Sequence, residues 1–358
     1  MSMLEDNESS RPADDFAAVD KTCPVDATEL PPVEPPSAGF IAQLFLVPGV
    51  IVLVVVAVWA MFGKLAAGQE DWKSLVVELG NNNQLRRTRA AHGLAVMLQA
   101  DVKRGAEKQK LVNNPVIIDK LTNLLDAELG RKSHVQNDLN FQIFLTKSMA
   151  LLDPDPKVID VLERALQPGH DVGLRQTAIE SVAILASRAA EDGSTFQHAS
   201  LTARLIKVSA DTEPAVRQLS AFALGLIQTP ASDRRLRVML DDPNTNTQLN
   251  AALGLTRRNS TAGLAVFEAV LKEAVEFDPQ SISGSDEIER RKQISYLEYE
   301  QDLRLKNTLD ALSSLAGVFT ARQRTKLTGL VQDVSRRHRR QEFRFKADTV
   351  LQRLRRQK

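Results

Sequence analysis

A four-residue pattern of small, apolar, small and apolar side chains recurs between residues 93 and 255. Its copies are Gly93–Val96, Ser148–Leu151, Ser181–Ile184, Ala223–Leu226 and Ala252–Leu255. Small side chains let two helix backbones approach closely, and apolar ones fill the layer between neighbouring helices. The copies recur at intervals of tens of residues, which is typical of arrays in which each unit buries its apolar face against the next.

Each copy is predicted to end a helix, and each is preceded by a second apolar helical segment. The preceding segments are Trp72–Leu79, Val116–Leu129, Val158–Leu166, Leu201–Val208 and Arg234–Leu240. Clusters of Asn, Asp, Gly and Pro separate the segments, as expected where helices end and begin. These clusters are Asn81–Asn83, Asn113–Pro115, Asp153–Pro156, Pro168–Asp171, Asp211–Pro214, Asp241–Asn246 and Asp278–Ser285. The pattern predicts an all-α fold made of helix pairs.

One copy and its flanks resemble a known repeat. The matching positions are Asp211, Val216, Arg217, Ala221, Ala223, Leu224 and Gly225, with a second match at Leu174 and Arg175. This segment resembles the HEAT-like repeat family, particularly the type named after phycobilisome lyases. The resemblance implies a right-handed α-solenoid over residues 70–278, and it implies that Arg175 and Arg217 pack between neighbouring repeats. The whole chain also resembles single-span bacterial proteins with such repeats, which implies no activity.

The pattern changes after Ser285. Residues Asp286–Val318 and Thr320–Arg355 are predicted to form two long helices, a hairpin over 286–356 with a basic C-terminus. Its apolar stripe runs through Ile294, Leu297, Leu305, Leu309, Leu312 and Leu315. Because a solenoid needs a distinct terminal unit to cover its last apolar face, we expect this hairpin to cap the array.

A long apolar run, Phe40–Phe62, contains one polar side chain, Gln43. A helix of this length spans the roughly 30 Å hydrocarbon core of a bilayer. We therefore predict a transmembrane helix over residues 39–63. The residues expected to contact lipid or its interface are Phe40, Leu46, Pro48, Val54, Trp59, Phe62 and Lys64.

Residues 1–38 precede this run and contain nine acidic residues against Arg11 and Lys21. An acidic, proline-rich segment buries too little apolar surface to fold, so we expect a disordered tail. Lys and Arg cluster after the apolar run instead, at Lys64, Lys73, Arg86, Arg87 and Arg89. Basic residues flank the cytoplasmic end of membrane helices, which predicts a cytoplasmic location for the C-terminal part.

No catalytic constellation is apparent in the sequence. The five histidines are scattered, the single cysteine, Cys23, leaves no pair for a disulfide, and the phosphate-binding glycine motifs are missing. We therefore predict a protein that is not an enzyme and that has no metal or cofactor.

Alignment of the repeats places His92, Lys147, Glu180, Phe222 and Ala251 in one column. This column varies in charge and size, whereas the neighbouring column stays small. Such variation indicates a face that packing does not constrain. The first four residues are candidate groove-facing residues, and the alternative is ordinary solvent-exposed surface.

The segment Ser335–Lys346 carries the strongest charge feature. Its basic residues are Arg336, Arg337, Arg339, Arg340, Arg344 and Lys346. Three hypotheses remain open: a solvated helical face, contact with anionic lipid headgroups, and binding to a nucleic-acid backbone. Nucleic acid is the least favoured, because the net charge of the chain is only +1.

Two functional hypotheses from different classes follow. The first is a membrane-anchored scaffold whose repeats bind a protein partner at the cytoplasmic face. The alternative is a ligand-binding or lyase-like repeat enzyme, because some relatives in the resembled family attach chromophores to proteins.

Overall fold

The computed structural model describes residues 52–58, 71–104, 110–131, 136–283 and 286–356. The chain divides into two compact units, Met1–Gln69 and Glu70–Lys358. The predicted tail (1–38) lies outside the described residues, as does most of the predicted membrane segment. Of the expected anchor residues only Val54 is described, and Phe40, Leu46, Pro48, Trp59, Phe62 and Lys64 lie outside this part of the chain.

Within the first unit, residues 52–58 are helical. The Val and Leu side chains of this short segment are 43% to 69% exposed. Among the residues that the structure describes, no helix is both long enough and apolar enough to cross a bilayer.

In its described ranges the second unit consists of helices joined by turns, with a 3-10 turn at Pro279–Ser281. Its helices are α1 (Trp72–Glu78), α2 (Gln84–Lys103), α3 (Pro115–Leu129), α4 (Gln136–Met149), α5 (Pro156–Ala165), α6 (Val172–Glu191), α7 (Ala199–Val208), α8 (Pro214–Leu226), α9 (Pro230–Met239), α10 (Thr245–Thr256), α11 (Leu264–Glu276), α12 (Glu287–Ser314), α13 (Ala321–Arg337) and α14 (Gln341–Arg356). No strand occurs in the described ranges, so the predicted all-α class is confirmed.

The helices begin where the sequence places its polar clusters. Side chains at the N-cap positions accept hydrogen bonds from backbone N–H groups of the first turn, which removes donors that would otherwise lack a partner. These capping residues are Asp71, Asn83, Asn114, Asp155, Asp171, Asn244 and Asp286. A proline opens α3, α5, α8 and α9, where its missing N–H costs nothing. The segments predicted to precede each tetrad are therefore confirmed as helices.

The helices pack as successive pairs in two layers. Each odd-numbered helix from α1 to α9 contacts the even-numbered helix that follows it. Successive even-numbered helices from α2 to α10 contact each other in a second layer, and the odd-numbered helices contact each other likewise. This arrangement is a stack of helix pairs and confirms the HEAT-like repeat architecture. The handedness of its superhelix stays a prediction.

Close approach between two tetrads explains their small residues. Helices α8 and α10 meet at Gly225 and Gly254, where a Cβ on either residue would lie 2.8 Å from the Cα of the other. The tetrads of α4, α8 and α10 lie at helix ends, as predicted. The prediction is wrong for α2 and α6, which continue past theirs to Lys103 and Glu191, because no helix-breaking residue follows Val96 or Ile184.

The hydrophobic core has two parts. The repeat core comprises buried side chains from Leu75 to Leu255, and the terminal core comprises those from Leu249 to Leu354. The two parts meet within α10. Helix α11 contributes Phe267, Val270 and Leu271 to the terminal core, because it packs on α12 and α13. The terminal core therefore starts before the end of the predicted solenoid range at 278.

The predicted C-terminal hairpin consists of three helices, not two. The second predicted helix, Thr320–Arg355, is interrupted at residues 338–340. His338 has an extended backbone, with φ −63° and ψ 136°, and its side chain is buried at an edge-on contact with Phe343. Its ring nitrogen Nδ1 accepts a hydrogen bond from the backbone N–H of Arg340 at 3.2 Å. Burial of this side chain holds the corner without glycine or proline.

The predicted apolar stripe of α12 is only partly covered. Leu305, Leu309, Leu312 and Leu315 are buried in the terminal core. Ile294 and Leu297, two to three turns nearer the N-terminus, are of intermediate exposure. The first half of α12 thus extends beyond the helices that cover its second half.

Candidate binding groove on the even-numbered helices

The four predicted groove residues lie on one layer of the fold. His92 is on α2, Lys147 on α4, Glu180 on α6 and Phe222 on α8, and all four are exposed. We call the exposed side of α2, α4, α6, α8 and α10 the even-helix face. Three pockets lie along it, and each of the four residues lines at least one of them.

The middle pocket crosses three helices and has a volume of about 430 Å³. Lys147 of α4 and Glu180 of α6 line it together with Ile184, Leu219 and Phe222. Ile184 and Phe222 are 44% and 39% exposed. One cation, one carboxylate and an apolar floor are therefore open to a binding partner.

The first pocket, about 460 Å³, lies between α2 and α4. His92 stacks on Phe144, with ring centroids 4.4 Å apart and ring planes 8° apart. Polar side chains of Gln84, Asn137 and Asn140 complete its wall. The pocket offers a flat aromatic surface beside hydrogen-bonding groups.

The last pocket, about 370 Å³, lies where α8 and α10 meet α12. Phe222 lines this pocket as well as the middle one, so the two pockets are neighbours. The guanidinium carbon of Arg257 lies 5.8 Å from the centroid of the Phe222 ring, within the range of a cation–π contact. Burial lowers the pKa of Arg257 below its ordinary value.

The fifth residue of the aligned column, Ala251, is not part of the groove. It is fully buried in the repeat core. Helix α10 packs on α8 and is also covered by α12, so its exposed side differs from that of the earlier even-numbered helices. At α10 the groove is lined instead by Asn250, Leu253 and the adjacent Arg257. The alignment column missed these residues because it carries no information about how α12 covers α10.

Arginines link the repeats at positions that the resemblance implied. Arg175 pairs with Asp211 at 3.2 Å, and Arg217 pairs with Asp242 at 2.8 Å. Arg217 also donates to the backbone carbonyls of Asp211 and Thr212. The implied packing of Arg175 and Arg217 between neighbouring repeats is therefore confirmed.

Three further arginines with the same role were not predicted. Arg188 donates to the carbonyls of Ala150 and Leu152 at 2.9 Å each. Arg258 donates to those of Leu224 and Ile227, and Arg235 donates to that of Ser209. Each bridges to the preceding repeat, so these arginines stabilise the stack and are not available to a ligand.

The basic segment Ser335–Lys346 does not form one basic helical face. Arg339 pairs with Glu298, and Arg340 pairs with Asp302 at 2.7 Å. Lys346 pairs with Asp310 at 2.6 Å. The break at His338 separates Arg336 and Arg337 of α13 from Arg344 of α14, and these three have no acidic partner among the described residues. The segment is therefore an ion-paired corner flanked by three arginines without an acidic partner in the described ranges, and the three hypotheses for it stay open.

Metal-binding clusters of three or more His, Cys, Asp or Glu residues do not occur in the described ranges. The pockets of the even-helix face are open and mixed in character, with apolar surface, amides and single charges. Such a surface suits an extended ligand that crosses several repeats.

No protein-family model matches the chain, and a sequence search of curated proteins gives no match. Solved structures with similar arrangements include the complex of CpcE and CpcF of phycocyanin lyase from Nostoc, at 14% identity and a TM-score of 0.40, covering 79% of this chain and 94% of that one. A designed armadillo repeat protein in complex with the peptide (KR)4 has 13% identity and a TM-score of 0.36, with coverages of 80% and 100%. Importin beta has 12% identity and a TM-score of 0.42, covering 79% of this chain and 37% of that one.

At these identities and TM-scores the likeness carries no information about activity or partners. The stacked helix pairs described above agree with the sequence pattern at Asp211–Ile227. The chain has a HEAT-like helical-repeat fold.

Proposed function

We propose that this protein is a membrane-tethered scaffold that holds a protein partner on its even-helix face. The observation that carries the proposal is the row of three pockets along α2 to α12, with Ile184 and Phe222 exposed at its centre. Exposed apolar side chains that share one open surface are typical of protein interaction sites. Small-molecule sites are more often single enclosed cavities that bury most of their ligand.

The tether is the apolar run Phe40–Phe62. Its described part, residues 52–58, is a helix whose Val and Leu side chains are exposed. A helix that is apolar on all sides needs an apolar environment, which a bilayer supplies. Basic residues follow the run and acidic residues precede it. This distribution supports a cytoplasmic location for the repeats.

Co-purification tests the role of the groove. Three versions of the full-length protein, each tagged at its C-terminus, are isolated from solubilised membranes. They are the natural sequence, the Ile184→Lys variant and the Val238→Lys variant. Val238 is 60% exposed on the odd-numbered helix α9, away from the pockets of the even-helix face, so the last variant is a matched control. We expect one set of proteins to be lost with Ile184→Lys and kept with Val238→Lys. Equal recovery with both variants would remove the even-helix face from the proposal.

Fractionation tests the tether. Deletion of residues 1–69 leaves both hydrophobic cores intact, since they span Leu75 to Leu354. We expect the full chain to stay in the membrane fraction after washing with high salt, and the shortened chain to leave it. Retention of the shortened chain would show that Phe40–Phe62 is not the sole anchor.

A further inference from the structure

Arg257 differs from the arginines that link neighbouring repeats. Arg175 and Arg217 are paired with aspartates, and Arg258 donates to three backbone carbonyls and the hydroxyl of Ser232. Arg257 directly precedes Arg258 in the chain, but its side chain lines the pocket formed by α8, α10 and α12. Its guanidinium lies over the ring of Phe222 and beside Gly225. It has no carboxylate partner in the described ranges.

The one carboxylate in the lining of this pocket already has a cationic partner. Asp310 lines the same pocket, and its carboxylate lies 2.6 Å from Nζ of Lys346. Burial alone shifts the pKa of Arg257, with no carboxylate opposing it. An arginine remains charged at neutral pH, and Arg257 is exposed to this pocket with no carboxylate at ion-pair distance among the described residues. A pocket that holds such a cation favours an incoming anion.

The linings of the two neighbouring pockets hold two cations, Lys147 and Arg257, and two carboxylates, Glu180 and Asp310. Asp310 is paired with Lys346, which lies outside the linings, so one cation is in excess. The excess charge is at Arg257, because Asp310 is paired with Lys346 and the remaining two charges line the middle pocket together. The apolar surface of Leu219, Phe222 and Leu226 lies directly beside it.

We propose that the pocket at Arg257 binds a carboxylate of the protein partner, with an adjacent apolar side chain of that partner seated on Phe222 and Ile184. This inference rests on the proposed function and adds the chemistry of its partner: an apolar–acidic segment. A guanidinium binds a carboxylate through two parallel hydrogen bonds, a geometry that a carboxamide cannot reproduce. The carboxylate has two sources, an Asp or Glu side chain or the C-terminus of the partner.

Three synthetic peptides test the proposal on the purified full chain in detergent. The first is acetyl-Ser-Leu-Phe-Glu-Ser-amide, the second replaces its Glu with Gln, and the third is acetyl-Ser-Leu-Phe with a free C-terminal carboxylate. Binding is followed by saturation-transfer NMR. We expect about tenfold tighter binding of a carboxylate peptide than of the Gln peptide. The first and third peptides distinguish the two sources of the carboxylate.

Variants assign the preference to this pocket. Arg257→Gln is expected to abolish the tenfold difference, and Arg257→Lys to retain part of it. Arg353→Gln, on the exposed side of α14, is the matched control and keeps the full difference. Because Arg257 is exposed, we expect the Arg257→Gln variant to fold. If it does not fold, the binding difference measured with Arg257→Lys tests the pocket.

Three outcomes overturn the inference: equal binding of carboxylate and Gln peptides, a preference that survives Arg257→Gln, or no binding of any peptide. None of these depends on the natural partner. If the carboxylate preference is found but Ile184→Lys does not affect co-purification, the proposed function fails while the anion site stands. If Ile184→Lys abolishes co-purification but no carboxylate preference is found, the proposed scaffold function stands and the carboxylate site is rejected.

Discussion

Arginine side chains join neighbouring helices both in the middle repeats and in the terminal helices, but their acceptors differ. In the repeats, Arg188 and Arg258 donate to backbone carbonyls of the preceding repeat, and Arg217 pairs with Asp242 while donating to carbonyls of its own turn. Among the terminal helices, Arg339 and Arg340 pair with side chains of α12, namely Glu298 and Asp302. The repeats are joined through the main chain as well as through carboxylates, whereas these terminal links use carboxylates.

The difference has consequences for stability. A carbonyl at the end of a helix needs a donor, so loss of the arginine leaves a buried acceptor unsatisfied. The carboxylate of Glu298 is partly exposed, so it regains water when Arg339 is lost. We therefore expect the repeats to depend strongly on single arginines and the terminal corner to depend on them weakly. The predictions below test this expectation, starting with the largest effect.

Arg217→Met is expected to lower the free energy of unfolding by about 3 kcal/mol, because two backbone carbonyls lose their donor and Asp242 keeps only the backbone N–H of Asn244. Arg339→Met is the comparison, since it removes a partly exposed pair with Glu298. We expect it to cost at most about 1 kcal/mol. Urea unfolding followed by circular dichroism measures both. Equal losses would show that the two kinds of link do not differ.

Two glycine substitutions of opposite sign compare backbone packing in the same regions. Gly254→Ala places a Cβ 2.8 Å from the Cα of Gly225, which forces α8 and α10 apart. We expect a loss of about 2 kcal/mol in the free energy of unfolding. Gly329→Ala in α13 meets nothing within 4 Å and is expected to stabilise by about 0.5–1 kcal/mol. Thermal melts of both variants suffice, and destabilisation by Gly329→Ala would contradict the packing described for α13.

Two aspartates extend the comparison to pH. Burial alone would raise the pKa of Asp242, but hydrogen bonds from Arg217 and Asn244 lower it below its ordinary value of 3.8. Burial raises the pKa of Asp302 despite the charges of Arg340 and Arg339. Because the folded state favours ionised Asp242, its stabilisation is complete above the unfolded pKa of about 3.9 and is lost as pH falls through the lowered value. Ionisation of Asp302 has the opposite effect, so stability is lost as pH rises through its raised value.

Asp242→Asn is therefore expected to cost about 1–2 kcal/mol at pH 7 and little at pH 2.5. Asp302→Asn is expected to leave stability unchanged or increased at pH 7, with the difference vanishing at low pH. Urea titrations at several pH values measure both profiles. A loss at pH 7 for Asp302→Asn as large as that for Asp242→Asn would contradict the contrast.

Local sequence signals predicted the parts of this fold that local interactions determine. Asp and Asn before each helix act through their own first turn, and the Val-Arg positions recur with the repeat, so Arg175 and Arg217 were identifiable. The break at His338 has no local signal, because it depends on burial of that ring against Phe343. Arg257 was not predicted for the same reason. Its environment is created by α12, some fifty residues later in the chain.

One alignment column contains both kinds of residue: those whose exposure follows from the repeat and one whose exposure depends on a distant helix. His92, Lys147, Glu180 and Phe222 lie in equivalent, exposed positions because their helices pack alike. Ala251 occupies the same position of the repeat but is buried, since α10 is the last even-numbered helix of the stack and meets the terminal helices. Repeat position predicts exposure only where both neighbours of a helix are themselves repeats.

Site-specific photocrosslinking in living cells tests the central claim, that the even-helix face binds a protein partner. Benzoylphenylalanine replaces Phe222 or Ile184 in the groove. As controls it replaces Val238 or Val77 on the odd-numbered helices α9 and α1. All four positions are exposed. These substitutions are expected to leave stability nearly unchanged. The account predicts the same crosslinked partner from positions 222 and 184 and none from 238 and 77. Crosslinks confined to the outer positions, or none from the groove, would contradict it.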